Sequence, residues 1–157
     1  MIRSIVAFLI AVGLAIPAFA NIGNVIEQKG NAVIERDKDA LESAIGLGVE
    51  SYDTVKTQNG STAIQFVDET RVDVTPHSRL IIDEFVYDPN TSTGSLALKA
   101  SLGTVRYASG QIAKNSRQNV KISTPTAVIG VRGTDFSMTV DETGRTTVIL
   151  LPSCTVA

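Results

Sequence analysis

The feature that most constrains this chain is a repeated pair: two apolar residues separated by one, followed by a polar corner. Ile64/Phe66, Val72/Val74 and Leu80/Ile82 recur at eight-residue spacing, with Asp68-Glu69-Thr70 and Pro76-His77-Ser78 between them. Two-residue spacing puts both members of a pair on one face of an extended strand, whereas a helix would need a spacing of three or four. A strand of about three to five residues plus a corner, repeated, predicts an all-β fold: a meander, or a short-stranded β-roll or β-solenoid-like sandwich. These corners are longer than two-residue hairpin loops, which leaves room for β-arches with successive strands in different layers.

The alternation extends both ways. Upstream, Val25-Ile26 and Ala32-Val33-Ile34 flank a Lys29-Gly30-Asn31 turn, and Tyr52–Thr57 leads through Asn59-Gly60 into the repeat. Downstream come Phe85/Tyr87, then a polar Asp88–Gly94 loop in which Pro89 cannot donate to a ladder. Leu96/Leu98 and Val105/Tyr107 follow on either side of Gly103. The last hairpin pairs Phe136/Met138/Val140 with Val148/Leu150 around Asp141–Gly144. Ile149 and Leu151 on its other face predict a strand covered on both sides. The single helical fragment falls on Asp37–Gly46, where Ala40, Leu41, Ala44 and Ile45 share a face and Asp37 or Asp39 stands as N-cap. Gln111–Asn119 reads as a polar surface connection.

Residues 1–20 stand apart. Arg3, the apolar run Ile5–Ile16 and Pro17-Ala18-Phe19-Ala20 make the three parts of a secretory signal peptide, with Ala18 and Ala20 at the cleavage site. The run falls short of the roughly 20 residues a spanning helix needs. Without the leader, residues 21–157 form one domain with no membrane-spanning segment, expected to be periplasmic or secreted. Its one cysteine, Cys154, excludes an internal disulfide and is either a packing residue or a thiol open to intermolecular pairing. The mature chain keeps 13 basic against 16 acidic residues, which does not suggest a nucleic-acid binder. The charges are segregated, however. From Pro89 to Thr134 there are Lys99, Arg106, Lys114, Arg117, Lys121 and Arg132 and no acid. Either the two halves pair their charges, or segment 89–134 offers a basic face to an anionic envelope polymer or an acidic partner.

The most distinctive stretch is Ser123–Val140, STPTAVIGVRGTDFSMTV. Two extended segments meet at Val131-Arg132-Gly133-Thr134, a turn that carries a charge inside an apolar run. The stretch resembles the signature of the FecR-like family, named for an iron-dicitrate sensor, in its residues Thr124, Pro125, Gly130, Arg132, Gly133, Thr134, Asp135 and Phe136. The resemblance runs from about Gly46 to Leu151. It includes Tyr52-Asp53-Thr54-Val55-Lys56-Thr57, where Tyr52 replaces a usual glycine, and the surroundings of Val105-Arg106-Tyr107. It implies a periplasmic all-β domain. Full-length sensors of the family add a transmembrane helix and a cytoplasmic segment controlling a sigma factor, neither of which is expected here.

Nothing in the chain assembles into catalytic machinery. His77, the only histidine, sits in a Pro-His-Ser corner without nucleophile partners. The usual nitrogen and sulfur ligands of a zinc site are missing. The pairs Asp68-Glu69, Asp83-Glu84 and Asp141-Glu142 read as solvated corners and strand neighbours facing opposite ways, not as carboxylates opposed across a cleft. The Asp88–Gly94 loop lacks the alternating acids of a calcium loop. No cofactor is expected. Arg132 has two roles open to it: tying strand ends together through carbonyls or a nearby carboxylate, or serving as a hot-spot arginine at a docking surface. The chain thus reads as a non-enzymatic exported module that contacts an envelope protein or itself. One alternative is a stand-alone ligand sensor modulating transmembrane signalling. The other is a cell-wall carbohydrate binder using Tyr52, Tyr87 and Tyr107.

Overall fold

The computed structural model describes residues 21–116 and 118–152. The signal peptide with Ala18 and Ala20, the side chain of Arg117, and Cys154 lie outside the described residues. In chain order the strands begin with β1 (Gly23–Lys29), β2 (Ala32–Arg36), β3 (Asp39–Glu42), β4 (Gly48–Val49) and β5 (Thr54–Thr57). Next come β6 (Ser61–Phe66), β7 (Arg71–Val74), β8 (Arg79–Asp88) and β9 (Thr93–Ala108). A short helix α1 (Gln111–Asn115) precedes β10 (Val120–Ser123), β11 (Val128–Gly130), β12 (Phe136–Val140) and β13 (Thr146–Leu150). All-β is therefore what the alternation produces.

The strands form one 13-stranded sheet that curls into a half-barrel. Its two halves share β9. The first part of β9 lies between β8 and β10, with Leu98 opposite both Ile82 and Ile122. The second part lies between β7 and β12, with Val105 opposite both Val74 and Met138. The change of partners falls at Gly103, whose φ of +85° only glycine adopts freely. One half then runs β3-β2-β5-β8-β9-β10-β11 and the other β4-β1-β6-β7-β9-β12-β13. Inward residues of both halves build one core: Val25, Ile64, Phe66, Val72 and Val74 face Ile34, Val55, Leu80, Ile82 and Leu98. Phe66 from one half stacks on Phe85 from the other at 5.3 Å between centroids.

The eight-residue repeat resolves differently at its two corners. β6 and β7 are an antiparallel hairpin closed at Val67–Thr70 by Phe66 N–H to Thr70 C=O and Glu69 N–H to Phe66 C=O. At the second corner the backbone N–H groups bond outside the corner. Thr75 N–H reaches Thr104 C=O, His77 N–H reaches Gln58 C=O, and Ser78 N–H reaches Thr57 Oγ1. Only side-chain bonds of Thr75 and Ser78 close that corner on itself, and it is an arch that delivers β8 to the other half. Stacked solenoid turns would pair successive strands in parallel, and among the described strands only β9 and β10 do so.

Two local expectations need correction. Asp37–Gly46 is not helical: β2 and β3 pair from Arg36–Asp39 to Val33–Glu42 around Asp37-Lys38, with Asp37 at φ +53°. A tight turn with a left-handed aspartate outcompetes one weak helical turn, because Ala40 and Ile45 have no core to face and stay exposed. The described helix falls instead within Gln111–Asn119, where Ile112 and Ala113 are buried despite polar neighbours. Nor is β13 covered on both sides: Val148, Ile149 and Leu150 are 41%, 62% and 69% exposed.

Candidate functional site

The signature residues are held in place from several directions. Its two extended segments do not pair with each other. β11 pairs with β10 (Ile122 opposite Ile129), while β12 pairs with β9 and β13, so the Val131–Asp135 link carries the chain from one half of the sheet to the other. Val131 is buried, and its N–H donates to Val120 C=O. Gly133 takes φ +82°. Asp135 accepts the Ser109 N–H at 2.9 Å through Oδ1, while the Ser109 hydroxyl donates to Thr134 C=O at 3.0 Å. Phe136 is buried and stacks on Tyr107 at 5.3 Å. Burial pushes the Tyr107 phenol well above its ordinary range.

The Thr124-Pro125 end is tied to the last hairpin. The Thr124 hydroxyl meets that of Thr146 at 2.7 Å, and the Thr126 hydroxyl donates to Gly144 C=O at 2.7 Å. The Asp141–Gly144 corner itself is organised by Asp141, which accepts the Thr143 hydroxyl and the N–H groups of Thr143 and Arg145. Those donors, the Thr143 hydroxyl foremost, hold the Asp141 carboxyl below the usual range. Gly130 and Arg132 are exposed. Arg132 has no hydrogen bond or ion pair among the described residues. Its nearest sequence carboxylate, Asp135, is engaged by Ser109 instead.

A family model described as FecR protein matches residues 53–156. The chain belongs to the FecR family. No curated protein and no solved structure gives a significant match. The family supports a signalling- or sensor-related role in the cell envelope. No helix among the described residues is long and apolar enough to cross a membrane.

The first matched residue, Asp53, anchors the FecR domain in a way the sequence did not announce. Its carboxylate is fully buried and is gripped by Arg36, Nε to Oδ1 at 2.9 Å and Nη2 to Oδ2 at 2.7 Å. Arg36 also reaches Glu50 at 2.6 Å and Gly48 C=O at 2.9 Å, and Glu50 N–H caps Asp53 at 2.8 Å. The hydrogen bond to Asp53 chiefly raises the Arg36 pKa. Arg36 lies before the matched region, so no motif pointed to it. Tyr52, in the place of a family glycine, takes φ +72° and stands 75% exposed.

The other acids have structural work. Asp68, expected in a solvated corner, is buried and accepts from Thr70 N–H, Thr70 hydroxyl and Ile112 N–H, which fastens α1 to the β6–β7 turn. Asp83 pairs with Lys99 at 2.9 Å, and Glu84 accepts the Ser95 hydroxyl at 2.9 Å. Among the described residues no three His, Cys, Asp or Glu come together as a metal site. His77 is exposed at φ +56°. A cleft of about 650 Å³ lies where Val33, Lys56, Arg79 and Leu102 form a row across β2, β5, β8 and β9, beside His77. Of the three tyrosines, Tyr107 is buried and Tyr87 is partly buried against Phe85, which leaves Tyr52 alone as an open ring. Of the basic segment, Lys99 is paired, whereas Arg106, Lys114 and Lys121 are exposed with no ion pair among the described residues.

Proposed function

We propose that this FecR domain is a non-enzymatic, exported contact module of the cell envelope that docks a protein partner through its signature turn. The observation that carries the reading is Arg132: exposed and unpaired among the described residues, on a turn whose neighbours are locked to β9, β10 and β13. A structural arginine would be spending its guanidinium on carbonyls or carboxylates. A presented one is kept clear of them, and arginine in a desolvated contact is a frequent hot spot. Arg106, Lys114 and Lys121, exposed and without an ion pair among the described residues, support a secondary, salt-sensitive contact with an anionic envelope polymer.

The test separates the two roles of Arg132. With Arg132→Ala the expected change in stability is within about 0.5 kcal/mol, as for other surface sites. Crosslinking of the full chain in its native envelope is expected to lose the captured protein, with affinity falling by about 2 kcal/mol. A substantial drop in melting temperature would return Arg132 to a structural role. Capture unchanged by the substitution would remove it from the contact. Capture of a membrane-spanning signalling protein would favour the sensor version of the same reading.

A further inference from the structure

The free edge of β13 is an apolar strand without the usual protection. Among the described residues β13 pairs with β12 alone. Leu151 N–H donates to Asp135 C=O and Asp141 N–H to Arg145 C=O. With Met138 opposite Val148, those bonds determine the rest of the ladder. Thr147 and Ile149 turn their backbone groups to β12, and Thr146, Val148 and Leu150 turn theirs outward. Val148 and Leu150 share the inner face with buried Met138 and Phe136, yet they are 41% and 69% exposed; Ile149 on the outer face is 62% exposed. No charge interrupts Thr146–Leu151. Natural edges are guarded by lysine, proline or a bulge within the strand, and β13 has none of these among its paired residues.

We propose that two copies of this chain join edge to edge through β13, antiparallel about a two-fold axis at Val148. The proposal rests on the contact reading and names the partner. In this arrangement Val148 pairs with its own counterpart and Thr146 with Leu150 of the other copy, so the outward N–H and C=O groups of both strands are satisfied by an identical strand. No charge lies within the paired stretch Thr146–Leu150, and Arg145 just outside it is offset by Asp141 at 3.9 Å. The ends also match. The turn carrying Arg132 lies at the Leu151 end of β13, where Asp135 holds Leu151, and the Asp141-Glu142 corner lies at the other. Antiparallel pairing puts the basic turn of one copy alongside a corner of its mate in which Asp141 and Glu142 outnumber Arg145. The inner faces around Val148 and Leu150 then cover one another.

Sedimentation velocity on the full exported chain over the micromolar range tests this, with circular dichroism to check folding. A reversible dimer is expected. Val148→Pro removes an N–H that points outward and none that bonds β12, so it is expected to keep the β spectrum and weaken the dimer at least about tenfold. Leu150→Lys leaves the backbone intact and is expected to do the same if the proline variant fails to fold. Arg132→Glu and Glu142→Arg are each expected to weaken association, and the double swap to restore it. A chain that stays monomeric throughout overturns the proposal. So does a dimer indifferent to both β13 variants. A monomer that dimerises only when residues 153–157 are deleted would give the edge to the chain's own tail. Since crosslinking of a different envelope protein at Arg132 would survive any of these results, failure here is distinct from failure of the contact reading.

Discussion

At the scale of single residues, this chain places ordinary side chains in backbone conformations that favour glycine. Asp37, Tyr52, Glu69, His77 and Ser92 all take positive φ, each at a corner between strands. For an L-residue this region costs roughly 1–2 kcal/mol, part of which a glycine returns to the flexible unfolded chain. Tyr52 is the cleanest test, because its ring is mostly in water and its loss sacrifices little burial. Tyr52→Gly is expected to raise stability by about 0.5–1 kcal/mol in urea denaturation. A loss would mean that the ring packs in solution. The resemblance to a family step with glycine here was legible before the fold, but its reason, a left-handed turn feeding the buried Asp53, was not. Arg36 was illegible altogether, because nothing local in Ile34-Glu35-Arg36 says that its guanidinium will meet a carboxylate 17 positions on.

At the scale of elements, alternation located nearly every strand. Ile64, Phe66, Val72, Val74, Leu80 and Ile82 are all buried, and the last hairpin pairs in the register its apolar positions demand. Alternation could not say which strands are neighbours, because periodicity describes a face and carries no information on partners. The arch at Thr75–Ser78 depends on bonds to Thr57, Gln58 and Thr104, distant in sequence. Gly103 sits at the other side of that junction. A methyl group added there would lie 2.1 Å from Ser78 Oγ and 2.6 Å from its Cα, on a backbone at φ +85°. Gly103→Ala is therefore expected to cost more than about 2 kcal/mol, through clash and strain together. Thermal melts against wild type check this. A near-neutral result would show that β9 can pass between the two halves without a left-handed residue.

For the molecule as a whole, the family match and the folding unit have different limits. The match begins at residue 53, yet β1, β2 and β4 lie inside the same sheet and bury Val25, Ala32, Ile34 and Val49. Each large aliphatic side chain among these contributes about 1.5–3 kcal/mol when buried, so their loss rivals the roughly 5–15 kcal/mol that separates folded from unfolded domains. Residues 53–157 expressed without the preceding strands are expected to lack a cooperative melt and a dispersed proton spectrum. A folded fragment would confine the essential core to the matched region. The signature was the most legible part of the candidate site, yet its division of labour was hidden. Val131, Asp135 and Phe136 do the anchoring, which leaves Arg132 in solvent, and only tertiary partners distinguish these roles.

The shared strand has a last consequence. Since β9 serves both halves of the sheet, a cut between Leu102 and Gly103 takes a stave from each side of the barrel at once. Among the described strands, the two halves of the sheet are parted only by breaking β9 itself.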